Sequence, residues 1–316
     1  MDSINQQLPL LDEFLLHLQT SNYSLETVYN YERDLKVFQD FLNDIKIYFG
    51  DIDKKTMLNY RAYLSSRDRK TAELIDTNKQ LGSFSINRML TSLRSYLKFL
   101  IDMDFKAPLP PDAIKLIRTE KKHPRVSEFG DVVSLIESPM QFEKDNNVAL
   151  RNRAMLELLF STGMRISELV NLKKDQIDKT GRIFIRGKGK KERFVYLTER
   201  GKRHLENYLK ARGNNESSFI FIPMRGKNSR VKEKKISPNY LQNKVKQYRT
   251  LLGINIPISC HGIRHAFATY LAENGANPAA IQILLGHESL DTTTRYVHAS
   301  DRYAEKTHRQ FHPLKR

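Results

Sequence analysis

The chain has 316 residues, 40% hydrophobic and 28% charged, a balance typical of a soluble globular protein with room for two domains. It contains no run of about 18 apolar residues, and its first residues lack the basic stretch and cleavage site of a secretory signal. These features argue against a membrane or secreted protein, so a cytoplasmic location is expected. The single cysteine, Cys260, excludes an internal disulfide and a multi-cysteine zinc site.

The positive charge is concentrated in one part of the chain. The formal net charge is +17, yet residues 1–118 hold 16 basic and 16 acidic residues, so the whole excess lies in residues 119–316. Such a field favours a polyanionic partner, and nucleic acid is the commonest polyanion in the cytosol. The charge alone leaves open a basic protein that is merely soluble or associated with ribosomes.

Apolar residues at helical spacing predict four amphipathic helices in residues 1–106. Ser24 is expected to cap the second helix, the third is expected to begin near Asp53, and Ser85 is expected to cap the fourth. The polar residues 65–83 are expected to form a long loop before the fourth helix. Four such helices predict a small all-α bundle.

Residues 107–126 are predicted to link two domains. Four prolines oppose regular structure there, and a basic cluster suits an exposed strap. The cluster consists of Lys121, Lys122 and Arg125. The first domain then spans residues 1–106 and the second residues 127–316, and a linker of this length lets two domains close around a ligand.

The second domain is predicted to combine helices with a β-hairpin. Helical patterns cover residues 148–160 and the segment that follows STGMR. Two short strands, residues 182–186 and 192–197, flank the turn GKGK, and a third strand is expected at residues 219–222.

The remainder is predicted to be helical, after the basic loop RGKNSRVKEKK. In NPAAIQILLG, Asn277 fits an N-cap, Pro278 the first helical position, and Gly286 the residue that ends the helix. The predicted fold is therefore mainly α in two domains: a four-helix bundle, then a mixed α+β domain with a small β-hairpin sheet.

His261 and His265 stand four residues apart in CHGIRHAFATY, which raises the alternative of a metal site. A zinc-protease helix requires H-E-x-x-H, whereas glycine occupies the second position here and no nearby Cys or acidic residue completes a ligand set. Arg264 lies between the histidines. Phosphate is the better ligand for this combination, because Arg offers a planar fork of donors and His offers another donor.

Further cations stand at the ends of predicted elements. Arg165 follows a glycine turn at a helix start, Lys188 occupies the hairpin tip, and His287 directly follows a helix stop. Taken singly, each is ordinarily a solvated charge or a cap. Because side chains at the ends of rigid elements can converge on one group, these residues together with Arg264 predict a phosphate site.

Successive segments of the chain resemble motifs of the tyrosine recombinases, specifically the Xer type. In the second domain these are TGMRISELVNL, the GKG hairpin with KERFVYL, HGIRHAFATYL, LLGHESLDTTTRYVH and THRQFHPLKR. In the first domain, NYSLETVYNYERDLKVFQDFL and SINRMLTSLRSYLKFL are similar to the family's core-binding domain. The match covers nearly the whole chain. It implies a SAM-like core-binding bundle and a tyrosine-recombinase catalytic domain.

The resemblance assigns roles to individual residues. Tyr296 is the nucleophile, and Lys188 is the general acid toward the leaving 5′ oxygen. The scissile phosphate is held by Arg165, His261, Arg264 and His287. No metal, ATP or redox cofactor is implied. The chain departs from the family at Ile263, where leucine is usual, and in its longer segment 65–83.

Contacts with DNA are also predicted outside these six positions. The residues expected to make them are basic and lie in the fourth helix, the linker and the hairpin: Arg88, Arg94, Lys121, Lys122, Arg125, Lys190 and Lys191.

The assigned chemistry has a physical basis. A phosphodiester carries negative charge that repels nucleophiles, and fixed arginines with a histidine neutralise it in the transition state. Tyrosine is a weak nucleophile at pH 7 because its ordinary pKa is about 10, but adjacent cations favour the phenolate and a histidine can accept the proton. Covalent capture keeps the phosphodiester bond available for rejoining.

The implied activity is site-specific recombination of double-stranded DNA through a 3′-phosphotyrosyl intermediate and a Holliday junction, with Xer-like resolution of chromosome or plasmid dimers as its role. The implied assembly is a homo-tetramer, a dimer of dimers on two sites, with the C-terminal tail docked on a neighbouring protomer. A DNA translocase or second recombinase is a further expected partner. The alternatives are a mobile-element integrase, a non-catalytic DNA-binding protein on the same scaffold, and a topoisomerase or phosphodiesterase.

Overall fold

The structure, a computed structural model, describes residues 6–66, 80–119, 128–186, 192–214, 216–226, 229, 232–286, 305 and 308–314. The chain divides into two compact units, Met1–His123 and Pro124–Arg316. The division falls inside the predicted linker, whose bounds stay a prediction.

The first unit is a bundle of four helices. They are α1 (Leu11–Thr20), α2 (Leu25–Ile45), α3 (Lys54–Ser65) and α4 (Ser83–Asp102). Short 3₁₀ turns follow α2 and α4, at Phe49–Asp51 and Pro111–Ala113. The bundle agrees with the four helices predicted from apolar spacing.

Of the two caps predicted in the bundle, Ser24 is confirmed and Ser85 is wrong, and the third helix begins beside Asp53 as predicted. Ser24 Oγ accepts a hydrogen bond from the Thr27 amide (3.2 Å). Asp53 caps α3 and its Oδ1 accepts from the Thr56 amide (2.7 Å). The fourth helix begins at Ser83, two residues before the predicted cap Ser85, because the Ser85 amide already donates to the Gly82 carbonyl (2.9 Å).

Aromatic rings fill the core of the bundle. Tyr60 on α3 is fully buried, and its ring lies edge-on to Phe38 of α2 with centroids 4.7 Å apart. Phe14 of α1 meets Tyr96 of α4 in the same arrangement at 5.4 Å. Phe14 also meets Tyr31 of α2 at 6.0 Å, so aromatic contacts connect all four helices and the bundle has a core of its own.

The second unit contains eight α-helices and two strands among its described residues. The helices are α5 (Phe129–Glu137), α6 (Pro139–Phe142), α7 (Asn146–Thr162), α8 (Ile166–Val170), α9 (Glu199–Arg212), α10 (Pro238–Leu251), α11 (Cys260–Glu273) and α12 (Pro278–Leu285). The helices α5, α6 and α9 have no counterpart among the sequence predictions. None of the helices in the described residues of either unit is long and apolar enough to cross a membrane.

Helix α7 is the centre of the second unit. Every residue from Arg151 to Thr162 is buried, including charged ones. Fully buried Glu157 accepts hydrogen bonds at Oε1 from Arg153 (2.9 Å) and Arg200 (2.8 Å). Burial of a carboxylate is tolerated because these guanidinium groups compensate its charge.

Strands β1 (Arg182–Arg186) and β2 (Glu192–Tyr196) form an antiparallel hairpin, as the sequence predicts. The predicted third strand at 219–222 is wrong. Phe219 makes an isolated bridge with Lys173, and no ladder follows. Ile220 and Phe221 are buried instead, with the Phe221 ring stacked on Tyr208 of α9 (5.5 Å). The apolar run therefore serves packing, which periodicity alone does not distinguish from a buried strand.

The described part of the C-terminal segment lies against the core of its own chain. His308 and His312 are buried beside the end of α7. His308 Nε2 lies 2.5 Å from the Ser161 carbonyl oxygen, and His312 Nε2 lies 3.1 Å from that of Phe160. Both rings also contact Phe267 of α11, so this segment covers the junction of α7 and α11.

Candidate active site

Arg165 is placed by a sharp turn at the end of α7. Gly163 ends the helix in the left-handed conformation (φ 63°), and Arg165 follows as the N-cap of α8. A Cβ at Gly163 would lie 2.4 Å from Cδ1 of Phe267, so glycine is needed both for the conformation and for the close approach of α11. The Arg165 side chain is 39% exposed and is therefore accessible to a ligand.

Glu168 joins Arg165 to a second arginine. It accepts hydrogen bonds from the Arg165 amide (2.7 Å) and from Arg165 Nη1 (3.1 Å). On its other side, Arg193 of β2 donates from Nη1 to Oε1 (2.9 Å) and from Nη2 to Oε2 (2.8 Å). Burial alone would raise the pKa of Glu168, but the hydrogen bonds and charge of Arg193 and Arg165 lower it, so the carboxylate is ionised.

Sequence reasoning missed both Glu168 and Arg193. A local signal existed for Glu168, because an acidic residue at the third position of a helix commonly accepts from the N-cap amide. Arg193 carries no comparable local signal, since its partners are 25 and 91 residues away in sequence.

Arg264 lies on α11, whose start is fixed by Ser259, the acceptor of the Gly262 amide (3.0 Å). The Arg264 side chain is buried and donates to the carbonyl oxygens of Gly163 and Leu285, each at 2.6 Å. Burial, then the charges of Arg165 and Arg193, lower the pKa of Arg264 to about 10. Arg264 is therefore still a cation at neutral pH.

Three arginines bind successive carbonyl oxygens at the end of α12. Arg193 Nε donates to Leu284 (2.9 Å), Arg264 Nη2 to Leu285 (2.6 Å), and Arg165 Nη2 to Gly286 (3.2 Å). The last carbonyls of a helix lack partners within the helix and carry partial negative charge, so cations stabilise them. The end of α12 is thereby tied to β2, α11 and α8. The capping of α12 by Asn277 and its end at left-handed Gly286 confirm the sequence predictions.

His261 lies one turn before Arg264 on α11 and is exposed. Burial of part of the ring, then the positive fields of Arg264, His265 and Arg165, lower its pKa below the ordinary 6.5. His261 is therefore neutral at pH 7, the form that can accept a proton. Its ring lies 6.5 Å from that of His265, and no third metal-ligating side chain joins them among the residues the structure describes.

The local charge is positive. Arg165 and Arg193 both pair with the carboxylate of Glu168, and Arg264 is close enough to interact electrostatically with all three side chains. Arg165 is 39% exposed and His261 is exposed as well, whereas Arg193 and Arg264 are buried behind them in the domain core. An anion with several acceptor oxygens, such as a phosphodiester, matches this arrangement.

The remaining predicted site residues are divided between described and undescribed parts of the chain. Those that lie outside the described residues are Lys121, Lys122, Arg125, Lys188, Lys190, Lys191, His287 and Tyr296. In the first unit, Arg88 Nη1 lies 2.5 Å from buried Asp34 Oδ2, and its side chain stays 42% exposed. Arg94 instead donates from Nε to the Pro111 carbonyl (3.2 Å) and from Nη2 to Asp112 (3.3 Å).

Comparisons with known proteins agree across both units. Residues 132–302 match the phage integrase family, and residues 11–103 match the phage integrase N-terminal SAM-like domain. Tyrosine recombinase XerD of Staphylococcus epidermidis is 32% identical over 312 residues, which cover 96% of this chain and 98% of the relative. Tyrosine recombinase XerC of Lactobacillus delbrueckii subsp. bulgaricus is 32% identical over 314 residues, covering 97% and 99%.

Solved structures share the fold. The XerH site-specific recombinase in a post-cleavage complex with a palindromic difH substrate has a TM-score of 0.67 at 18% identity, covering 98% of this chain and 90% of that one. A lambda integrase tetramer bound to a Holliday junction has a TM-score of 0.66 at 16% identity, covering 90% and 78%. With both domains matched in order and curated relatives aligned over nearly the whole length, the chain belongs to the phage integrase family of tyrosine recombinases.

Proposed function

We propose that this protein is a site-specific DNA recombinase that cuts and rejoins strands through Tyr296. The observation that carries the proposal is the convergence of Arg165 and Arg264 on the end of α12, one residue before His287. Family membership and the names of the full-length relatives support the same activity. The proposed role is Xer-like resolution of chromosome or plasmid dimers in the cytoplasm.

The proposed reaction is a transfer of the phosphoryl group from one oxygen to another. The Tyr296 oxygen bonds to the scissile phosphorus, its proton passes to a neutral histidine or to water, and the bond to the 5′ oxygen breaks. Lys188 supplies a proton to that leaving oxygen. Arg165 and Arg264 neutralise the charge that develops on the non-bridging oxygens, and removing one such donor costs about 10²–10³ in rate.

The reverse reaction completes strand exchange. A 5′ hydroxyl from a partner strand gives its proton to the neutral Lys188 amine and attacks the phosphorus of the 3′-phosphotyrosyl bond. The Tyr296 oxygen leaves and regains a proton from the group that accepted it during cleavage. Because the phosphodiester bond is conserved in the covalent intermediate, the cycle balances without ATP. Each proton transfer in the scheme is accounted for by residues of this chain, with water as the alternative acceptor of the Tyr296 proton.

The proposed assembly is a dimer of dimers on two DNA sites. Support comes from the shared fold with a lambda integrase tetramer bound to a Holliday junction, and from the XerC and XerD names of the relatives. A second recombinase or a DNA translocase is the partner such a reaction would need for control. The basic residues proposed to contact DNA on this assembly are Arg88, Lys121, Lys122, Arg125, Lys190 and Lys191. Arg94, also predicted from the sequence, instead donates to Pro111 and Asp112.

The substitution Tyr296→Phe tests the proposal. On a nicked suicide substrate, the wild-type protein is expected to form a protein–DNA adduct that survives SDS, and Tyr296→Phe is expected to bind DNA without forming it. Tyr270→Phe is a matched control, since Tyr270 packs edge-on against Phe129 (5.2 Å) and is expected to keep full adduct formation. An adduct in the Tyr296→Phe protein would mean that another residue is the nucleophile.

A further inference from the structure

Arg193 occupies a position where a cation is unexpected. It lies on β2 opposite Ile185 of β1, and strand alternation puts it on the same face as Val195, which is fully buried. The Arg193 side chain is only 6% exposed. A charge on the buried face of a strand is costly unless its partners compensate it, so the identity of those partners defines its role.

The donors of Arg193 bind two elements at once. Its Nη1 and Nη2 form a bidentate pair with Glu168, at 2.9 and 2.8 Å, and its Nε donates to the Leu284 carbonyl at 2.9 Å. Its side chain also lies against Gly286, where an added Cβ would be 3.0 Å from Arg193 Cδ. One residue of the hairpin thus fixes the carboxylate beside Arg165 and the end of the helix that precedes His287.

The hydrogen bonds of Glu168 show how Arg193 affects the donors of Arg165. In a bidentate pair, one guanidinium donates two parallel N–H···O bonds, one to each oxygen of the carboxylate. Because Arg193 takes that arrangement, Arg165 gives Glu168 only one side-chain donor, Nη1 (3.1 Å). Arg165 Nη2 donates to the Gly286 carbonyl (3.2 Å), and because the side chain as a whole is 39% exposed, its remaining N–H groups are accessible to an external anion.

We propose that Arg193 is a positioning residue for strand cleavage. It acts through Glu168, by keeping Arg165 oriented toward the scissile phosphate, and through Leu284, by fixing the end of α12. It does not contact DNA. The inference rests on the proposed function, since it concerns the same phosphate site.

The test compares Arg193→Lys with Arg186→Lys. Lysine keeps the charge at position 193 but cannot form the bidentate pair and the Leu284 bond together. Arg186 is the matched control, because it also lies on the hairpin and pairs with a glutamate, Glu192 (3.0 Å), but is 68% exposed. Covalent adduct formation is followed in a single turnover on a suicide substrate with saturating DNA, which separates the rate constant from the fraction of protein that reacts.

For Arg193→Lys, the rate constant is expected to fall about 10–100-fold, as is typical when a supporting side chain of a site is lost. The DNA dissociation constant and the reactive fraction are expected to stay within about twofold, since the residue touches no DNA. Arg186→Lys is expected to match the wild type. An unchanged rate constant, or a smaller reactive fraction with the rate constant retained, would reduce Arg193 to a structural ion pair and overturn the proposal.

A substrate with sulfur at the bridging 5′ position identifies which step is affected. A thiol has a pKa of about 8.5 and leaves without a general acid. The Arg193→Lys defect is expected to persist on this substrate, because it lies on the phosphate side of the reaction. Recovery to the wild-type rate would place the defect in leaving-group protonation and contradict the route through Glu168.

Two further results distinguish failure of the Arg193 proposal from failure of the proposed recombinase function. The rate constant of adduct formation by Lys188→Met is expected to recover on the sulfur substrate, because a thiolate leaves without a general acid. Absence of any adduct with the wild-type protein would reject the recombinase proposal rather than the role of Arg193. Circular dichroism checks folding. If neither Arg193→Lys nor Arg193→Met folds, Arg193 is a structural requirement and the positioning role is rejected.

Discussion

Arg264 Nη1 donates a 2.6 Å hydrogen bond to the carbonyl oxygen of Gly163, two residues before Arg165. The two arginines predicted to hold phosphate are thereby joined through the backbone of one turn. The turn exists only because Gly163 adopts a left-handed conformation in contact with Phe267. The placement of both cations therefore depends on a residue that has no side chain.

Gly163→Ala is expected to lower both stability and cleavage. The left-handed backbone costs an L-residue about 1–2 kcal/mol, and overpacking against Phe267 adds about 1–3 kcal/mol. The free energy of unfolding is measured by urea denaturation of the full chain. Gly253→Ala is the control, because Gly253 is also left-handed (φ 67°) but no atom lies within 4 Å of an added Cβ, so only the backbone cost is expected. Equal losses for the two variants would contradict the Phe267 contact.

Arg88 and Arg94 are expected to differ in their effect on DNA binding. Arg88 is anchored by Asp34 yet stays 42% exposed, which presents its free donors to a phosphate. Arg94 already donates to Pro111 and Asp112. Arg88→Met is therefore expected to reduce the slope of log K against log salt by about 0.9, the effect of one lost phosphate contact, and Arg94→Met to leave it unchanged. The slopes are measured by fluorescence anisotropy. A smaller slope for Arg94→Met than for Arg88→Met would reject the phosphate contact assigned to Arg88.

The sequence predicts features that depend on local interactions. Ser24 and Asn277 are predicted caps, and Asp53 a predicted helix start, because their side-chain oxygens reach amides two or three residues ahead. Strand alternation around a glycine turn predicts the hairpin. Arg165 and Arg264 are predicted phosphate ligands because each lies on a rigid element in a recognisable motif, and that role remains a prediction.

Features that depend on distant contacts were not predictable. Residues 219–222 are apolar and β-prone, but their burial against Tyr208 on α9 decides their structure. Arg193 reads as an ordinary strand arginine, because its partners Glu168 and Leu284 come together only in the folded domain. The positions of Lys188, His287 and Tyr296 lie outside the described residues, so their roles stay predictions.

Removal of the residues after Arg302 is expected to impair recombination more than DNA binding, since the tail is predicted to dock on a neighbouring protomer. The structure adds a second effect, because His312 and Leu314 are buried against their own chain and their loss exposes Phe160 and Phe267. A lower melting temperature is therefore expected as well. Arg309→Gln changes an exposed side chain of the same segment and serves as the control. Equal loss of binding and recombination would argue against an assembly role.

The same segment is expected to make stability depend on pH. Burial, opposed by the Ser161 hydrogen bond, lowers the pKa of His308 to about 4, and burial with the nearby His308 lowers the pKa of His312. His308 Nδ1 is buried and has no hydrogen-bond partner among the described residues, while His312 Nδ1 accepts from the Leu314 amide (3.0 Å). Both rings are therefore neutral in the folded protein.

A lowered histidine pKa means that the unfolded chain binds more protons than the folded one. Stability is then complete above the ordinary pKa of 6.5 and decreases as the pH falls from 6.5 to about 4, by about 3 kcal/mol for His308 alone. Urea denaturation at several pH values across this range measures the loss. His308→Phe keeps a ring but cannot be protonated, so its stability is expected to fall less steeply with acid than that of the wild type. His265→Gln changes an exposed histidine and is expected to leave the slope as it is. If His308→Phe and the wild type lose stability in parallel, the buried pair does not set the acid sensitivity.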